Sequence, residues 1–566
     1  MMSSASLMVM AAFAAYLVGV LLLGVWSHRL VARGDFVKNY FVGGRQLGPW
    51  VLAFSVATTA ISGGTFAGFP SLIYSKGWVL ALWIAGYMVV PLTAMILLGK
   101  RLNQVARVSG AVTVPDVFRD RYQSPTLGLV CTGVIFVFIL ANMVAQFKAG
   151  GTVLKVAMGL PSDWLVTLPL LGWRVEAGYL IGLVIFSFTV IAYTTYGGFW
   201  AVTWTDVLEG TVKIIGVILL AVLAVASVPA VSTPDGQTLT GLGAATERLR
   251  QQDPALITGP GPGQFLPLGL AFSFFLMWTL SSAGQPSGMV RLMSFRDTPS
   301  LKRALIVVCA YYAITYSCLV IIFVCARAIF PTEYLPGERP EKLGNPDDIM
   351  PAMARYLAPH PLIAGLLLAA PYAAVMSTVA AFLLMISSGL VRDVYQRTIN
   401  PNVTARTIKI ISYTATATVG LAVMIAALNP PQYLQYLIVF TGTGQSCAFL
   451  MPMLLMLYWR RATRQGVLAG IVGGAATVLV LYLLGWLDAW TRPGSSLVGP
   501  ATAARVQANF AWVPGWGADR LERIAPIYVG DCDPLVWGML VSLLCVVGVS
   551  LCTRPDPEQT RRYFPD

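Results

Sequence analysis

The chain of 566 residues is short of charge. Only 11% of it is charged, while 57% is hydrophobic, against about 25% charged in an ordinary soluble domain. A water-soluble fold has too little interior to hide that much apolar surface. Soluble enzymes, nucleic-acid binders, secreted disulfide scaffolds and disordered chains are excluded together. Histidine is nearly missing, with only His28 and His360, which excludes a histidine-based metal centre. The eight cysteines show no zinc spacing, and only Cys532 falls in an expected outer loop, so no disulfide framework is expected. No convergent acids, histidines or nucleophile–base pair stand at membrane depth, which argues against a membrane-embedded enzyme.

What the chain has in abundance is long apolar runs. A helix needs about 20 such residues to cross the hydrocarbon layer. Thirteen spans are expected, near 6–27, 49–75, 77–99, 125–156, 176–195, 199–228, 265–284, 303–330, 362–388, 405–428, 432–458, 466–486 and 535–553. The first run has no basic residue before it and a long apolar core, so it reads as a retained helix rather than a signal peptide. Alternate connecting segments hold 23 of the 38 Lys and Arg. The positive-inside rule then predicts the N-terminus outside and the C-terminus inside, in the cell (cytoplasmic) membrane. The net charge of +13 is thereby explained without a nucleic-acid partner. Polar outer stretches at 229–264, 331–360 and 487–534 read as spacers or lids.

Two spans are interrupted by small polar residues. The second carries Thr58 to Gly64 at its centre. The seventh crowds Ser281, Ser282, Gly284, Pro286 and Gly288 into one stretch. Glycine weakens a helix and proline removes a backbone donor. Unwound backbone is tolerated at that depth where it faces protein or a wet cavity. The two spans lie five apart and so cross in opposite directions, the pattern of an inverted repeat with its site at the broken helices. Close helix packing is the plainer reading of such residues.

The ninth span places Ser377 and Thr378 near mid-membrane, with Ala374 one turn earlier. Carbonyls of Thr58, Ile61 and Ala374 plus two hydroxyls make five neutral oxygens, a plausible cage for a small hard cation. Back-bonding of the hydroxyls to their own helix is the alternative. Ionisable groups inside a membrane each need a reason. Asp206, Glu209 and Lys213 share one face of the sixth span, and Glu209 and Lys213 form an i,i+4 pair. Lys148 has no acid within a turn and either snorkels outward or faces the cavity and a substrate carboxylate. Thr59, Gly63, Gln146, Trp278, Gln285, Thr441 and Gln445 are further cavity candidates.

With these motifs in order, the sequence resembles the sodium:solute symporter family, within the LeuT-type five-plus-five inverted-repeat fold. "NYFVGGRQLGPWVLAFS", "YTTYGGFWAVTWTDVLEG", "GQPSGMVRLMSFRD" and "AAVMSTVAAFLL" carry the likeness, which covers roughly residues 37 to 470. "QQDPALITGPG", "AAPYAAVMST" and "LYWRRATRQGVLAGIVGG" are most like the pantothenate branch. The resemblance implies an all-α polytopic transporter and a sodium site at Thr58, Ile61, Ala374, Ser377 and Thr378. It makes Asp206 a residue of the sodium path. Ala380 and Ala381 speak against a second sodium, and Ala60 stands where proline-type members have an acid.

The expected organisation is an N-terminal extra span and inner loop (1–48), a first five-helix repeat (49–228), an outer loop (229–264), a second repeat (265–458) and two peripheral C-terminal spans (459–566). The expected function is sodium-coupled uptake of a small organic carboxylate such as pantothenate, by a protein working as a monomer in the lipid bilayer. A short monocarboxylate or proline is the alternative solute. An uncoupled channel or membrane sensor is the rival of a different class.

Overall fold

The computed structural model describes all residues except 1–3, 32–35, 160–163, 169–171, 234, 331–333, 336–340, 343–345, 430–433, 493–499, 515, 517–524 and 565–566. Parts of the outer stretches 331–360 and 487–534 therefore lie outside the described residues. The regular structure among the described residues is helical, apart from three two-stranded hairpins. Among the described residues, ten helices are long and apolar enough to cross a membrane. The thirteen expected spans reduce to ten plus two short helices because neighbouring spans are joined. Gly64–Ser109 carries the end of the second span and all of the third, and Ala177–Ala226 carries the fifth and sixth. A straight helix of 50 residues would be about 75 Å long, far beyond a bilayer. Ala177–Ala226 instead bends at Gly198, whose φ of 54° only glycine adopts cheaply.

Both expected interruptions are present. The second span is the Pro49–Ala60 helix followed, after Ile61–Gly63, by the Gly64–Gly68 turn and the Phe69–Lys76 helix. The seventh is Leu268–Gly284, then Gln285, then Pro286–Ser294. Proline at the first position of the last helix costs nothing, because that N–H has no helical partner anyway. The two broken spans meet at one end. The Leu47 amide donates to the Ser294 carbonyl at 3.2 Å, and the Arg296 amide to the Leu47 carbonyl at 3.2 Å. The start of one span thus touches the end of the other, so the two run in opposite directions. The helix through Pro361–Ile399 is buried almost throughout, whereas Ser6–Arg29 is buried along only a minor part of its surface.

Candidate functional site

The first interruption changes where backbone groups point. Ile61 still donates to the Ala57 carbonyl, but Thr65 and Phe66 both donate to Ser62. Thr65 therefore skips Ile61, and the Thr58 and Ile61 carbonyls are left to groups of other spans. Ser377 Oγ lies 3.0 Å from the Thr58 carbonyl and 3.1 Å from that of Ala374. Thr378 Oγ1 donates to the Thr59 carbonyl at 3.1 Å or to that of Ala374 at 3.2 Å. The five residues assigned to the ion are thus brought together and fully buried.

The centre of that group holds the Lys213 ammonium. It donates to the carbonyls of Thr58 and Ile61 and to Ser377 Oγ. The expected i,i+4 pair with Glu209 is not formed: both Glu209 carboxylate oxygens are buried without a hydrogen-bond partner. A helical pair needs both side chains on the surface of one helix. Here three oxygens of two other helices outbid one carboxylate for the ammonium.

Asp206 is placed at one end of this region. It accepts from Ser55 Oγ at 2.6 Å and from Arg291 at 3.4 Å. Arg291 also donates to the Ser55 carbonyl and to Ser55 Oγ. This arginine comes from the second broken span and was legible in the sequence only as one more inner charge. It joins the two broken spans where they meet. Beside it, a small, partly open cleft is lined by Phe199, Ser287, Val290, Arg291 and Ala381, among others.

The cavity candidates divide. Gln146 Oε1 accepts from the Gly63 amide at 2.8 Å, and its amide nitrogen donates to Asn142. A Cβ on Gly63 would come within 2.6 Å of that oxygen, so the contact requires glycine. Thr59 Oγ1 bonds back to the Ser55 carbonyl of its own helix. Trp278 stacks on Tyr87 with ring centroids 4.5 Å apart, and its indole N–H is buried without a partner. Gln285 forms the second break, 3.6 Å from where a Cβ on Gly442 would sit. Thr441 donates to the Phe138 carbonyl at 2.8 Å. Gln445 is buried with its side-chain oxygen unpaired. Lys148 neither snorkels nor reaches this group: it is buried against Asp347 at 3.1 Å. That acid lies far along the chain, in an outer stretch, where a search within one helical turn does not find it.

Comparison with known proteins follows the same lines. The model of the sodium:solute symporter family matches residues 40–474. A sodium/pantothenate symporter of Haemophilus influenzae is 30% identical over 476 residues, 83% of this chain and 89% of that protein. A sodium/proline symporter of Staphylococcus aureus is 28% identical over 488 residues, 85% and 86% of the two chains. In structure, a Na+-coupled sialic acid symporter in a substrate-bound outward-open state superposes with a TM-score of 0.66 at 19% identity. That superposition covers 97% of this chain and 98% of the other.

Proposed function

The chain belongs to the sodium:solute symporter family, a family of multi-pass transporters rather than enzymes, and from that premise we propose that it takes up a small organic carboxylate, with pantothenate first. Family membership implies sodium as the coupling ion. We read the chain as two five-helix repeats, 49–228 and 265–458, in the cell (cytoplasmic) membrane, with the N-terminus outside, acting as a monomer. The observation that carries a transport function is the facing pair of interrupted helices, whose loosened backbone meets polar groups of other spans at membrane depth. Such positions commonly hold solute and ion in secondary transporters.

Pantothenate is supported by the 30% identity to its symporters over most of both chains. Proline is disfavoured by Ala60, where the resemblance leads one to expect an acid. The solute would lie between the broken spans, near Gln146, Trp278, Gln285, Thr441 and Gln445. The Leu47 bridge to the second broken span and the Ser55–Asp206–Arg291 network close one end of the pair. Release at that end requires both to part.

The test is uptake into proteoliposomes of labelled pantothenate, a short monocarboxylate and proline, with and without a sodium gradient. Saturable pantothenate uptake and counterflow are expected. Leak without saturation would support a channel, and uptake of proline alone would overturn the solute assignment.

A further inference from the structure

The atoms that the sequence assigns to sodium already surround a cation. Lys213 Nζ donates to the Thr58 carbonyl at 3.1 Å, the Ile61 carbonyl at 3.3 Å and Ser377 Oγ at 2.7 Å. An ammonium has three N–H donors and no acceptor, so its three partners use it completely. The remaining two oxygens have protein partners of their own: Thr378 Oγ1 lies 3.1 Å from the Thr59 carbonyl and 3.2 Å from that of Ala374, which is also 3.1 Å from Ser377 Oγ.

The sixth span is shaped to deliver this side chain. Gly210, one turn before Lys213, packs on the first broken span, and a Cβ there would lie 2.7 Å from Thr58 Cγ2. Gly216, one turn after, packs on the ninth span, and a Cβ there would lie 2.6 Å from the Ala370 Cβ. Close approach on both sides aims the lysine between those two helices, and it is fully buried. Its charged neighbours are Glu209 and Asp206 on its own helix and Arg291 from the second broken span. Tyr16, Tyr193 and Tyr372 lie near Glu209, and Tyr311 bonds to the Gly210 carbonyl. Two formal positive charges thus face two negative ones. A sodium ion at the same oxygens would stand in contact with the ammonium and leave that buried group with excess positive charge. The five residues as arranged do not fit sodium.

We propose that Lys213 is a tethered substitute for the coupling ion: its ammonium bridges the first broken span to the ninth, and this position takes no sodium. The inference rests on the transporter reading only for the assignment of these atoms to an ion. Any sodium implied by family membership is then held elsewhere in the chain.

The experiment measures radioactive sodium binding to the purified full-length protein, and its melting temperature in sodium against potassium chloride at equal concentration. Replacing Ser377 and Thr378 together with Ala is expected to leave the sodium response of the wild type unchanged, or absent in both. Lys213→Ala opens the position and leaves Glu209 uncompensated. It is expected to raise apparent sodium affinity at least tenfold and to gain sodium-specific thermal stabilisation. Both gains should disappear when Ser377→Ala and Thr378→Ala are added. The proposal is overturned if the Ser377/Thr378 double variant weakens wild-type sodium binding tenfold, or if folded Lys213→Ala gains none. Should Lys213→Ala fail to fold, the double variant decides alone. Pantothenate uptake is scored separately, so a wrong solute and a wrong ion assignment give different results.

Discussion

The two broken spans use one device with different chemistry. Between Ala60 and Gly64 the helix is open for three residues, and its exposed carbonyls are met by a buried ammonium and by hydroxyls of a distant span. Between Gly284 and Pro286 it is open for one residue. There Gly288 and Met289 donate to the Gln285 carbonyl, as Thr65 and Phe66 do to that of Ser62 in the wide gap, but the carbonyls before the break, of Thr279 and Ser281, meet from other spans only the neutral hydroxyls of Thr93 and Ser446. A helix C-terminus carries partial negative charge and an N-terminus partial positive charge. In the narrow gap the two ends oppose each other at close range. In the wide gap the carbonyl end stands alone and calls for a cation. The length of the gap therefore decides whether an interruption is held by neutral groups or by a charge from elsewhere.

The largest effect should come from removing that charge. Lys213→Met leaves three oxygens without their cation and Glu209 without a compensating charge, while Asp206 keeps Arg291, and loss of one partner of a buried ionic group costs about 3–5 kcal/mol. Gln285→Ala, at the narrow gap, should cost no more than about 1 kcal/mol. Thermal unfolding in detergent compares them directly, and equal losses would break the contrast. Next is Arg291→Gln, which frees Asp206 and Ser55 where the two spans join. A buried pair broken this way costs about 3 kcal/mol at the low end, and here part of the loss falls on the closed end alone. Labelling of a cysteine placed at Ser287, in a variant lacking the exposed Cys552, should speed up about tenfold, the equivalent of about 1.4 kcal/mol between states. Unchanged labelling would mean that the arginine does not hold that end shut.

The wide gap also has a titrating cover. Lys148, two residues from the Gln146 that holds Gly63, is paired with Asp347, and Lys155 lies 3.8 Å from Asp348. Burial pushes the Asp348 carboxyl up to about 6, against the pull of Lys155 and helped by the neighbouring Asp347. Its folded value lies above the ordinary 3.8, so the folded protein holds this proton more tightly than the unfolded chain. Stability is then greatest below about pH 4 and falls as pH rises through about 6, by at most about 3 kcal/mol. Asp348→Asn should flatten that part of the melting profile, whereas Gln285→Ala should keep it. A slope unchanged in Asp348→Asn would assign the titration to another group.

The positions of both gaps were legible because glycine, serine and proline cannot sustain a helix at that depth without a reason. The Ser377–Thr378 pair was legible because hydroxyls are conspicuous among so many apolar neighbours. The destination of Lys213 was not. Local spacing favours Glu209 four residues earlier, and nothing in one sequence says that Gly210 and Gly216 bring two other helices closer than that carboxylate. Lys148 failed in the same way, since Asp347 is adjacent only after folding. The span count shifted because turns between neighbouring spans can themselves be helical, as within Gly64–Ser109, where helical turns resume directly after the single sharp bend at Gly77. Composition reports which residues are unusual, whereas partners across helices depend on distances that only packing sets.

The smallest test bears on the narrow gap itself. Ser446 Oγ lies 2.6 Å from the Gly442 carbonyl of its own helix and 3.1 Å from the Ser281 carbonyl across the interface. A hydroxyl within a helix readily bonds back to the preceding turn, so its contact with the broken span is an addition rather than a necessity. Interhelical hydrogen bonds in membranes average about 0.6 kcal/mol. Ser446→Ala should cost about that much in thermal unfolding, with solute uptake retained. If neutral contacts suffice at the narrow gap, nothing more is lost, because the Thr93 hydroxyl still reaches the Thr279 carbonyl. A loss approaching that of Lys213→Met would show that this gap too depends on another helix, and that gap length does not separate the two.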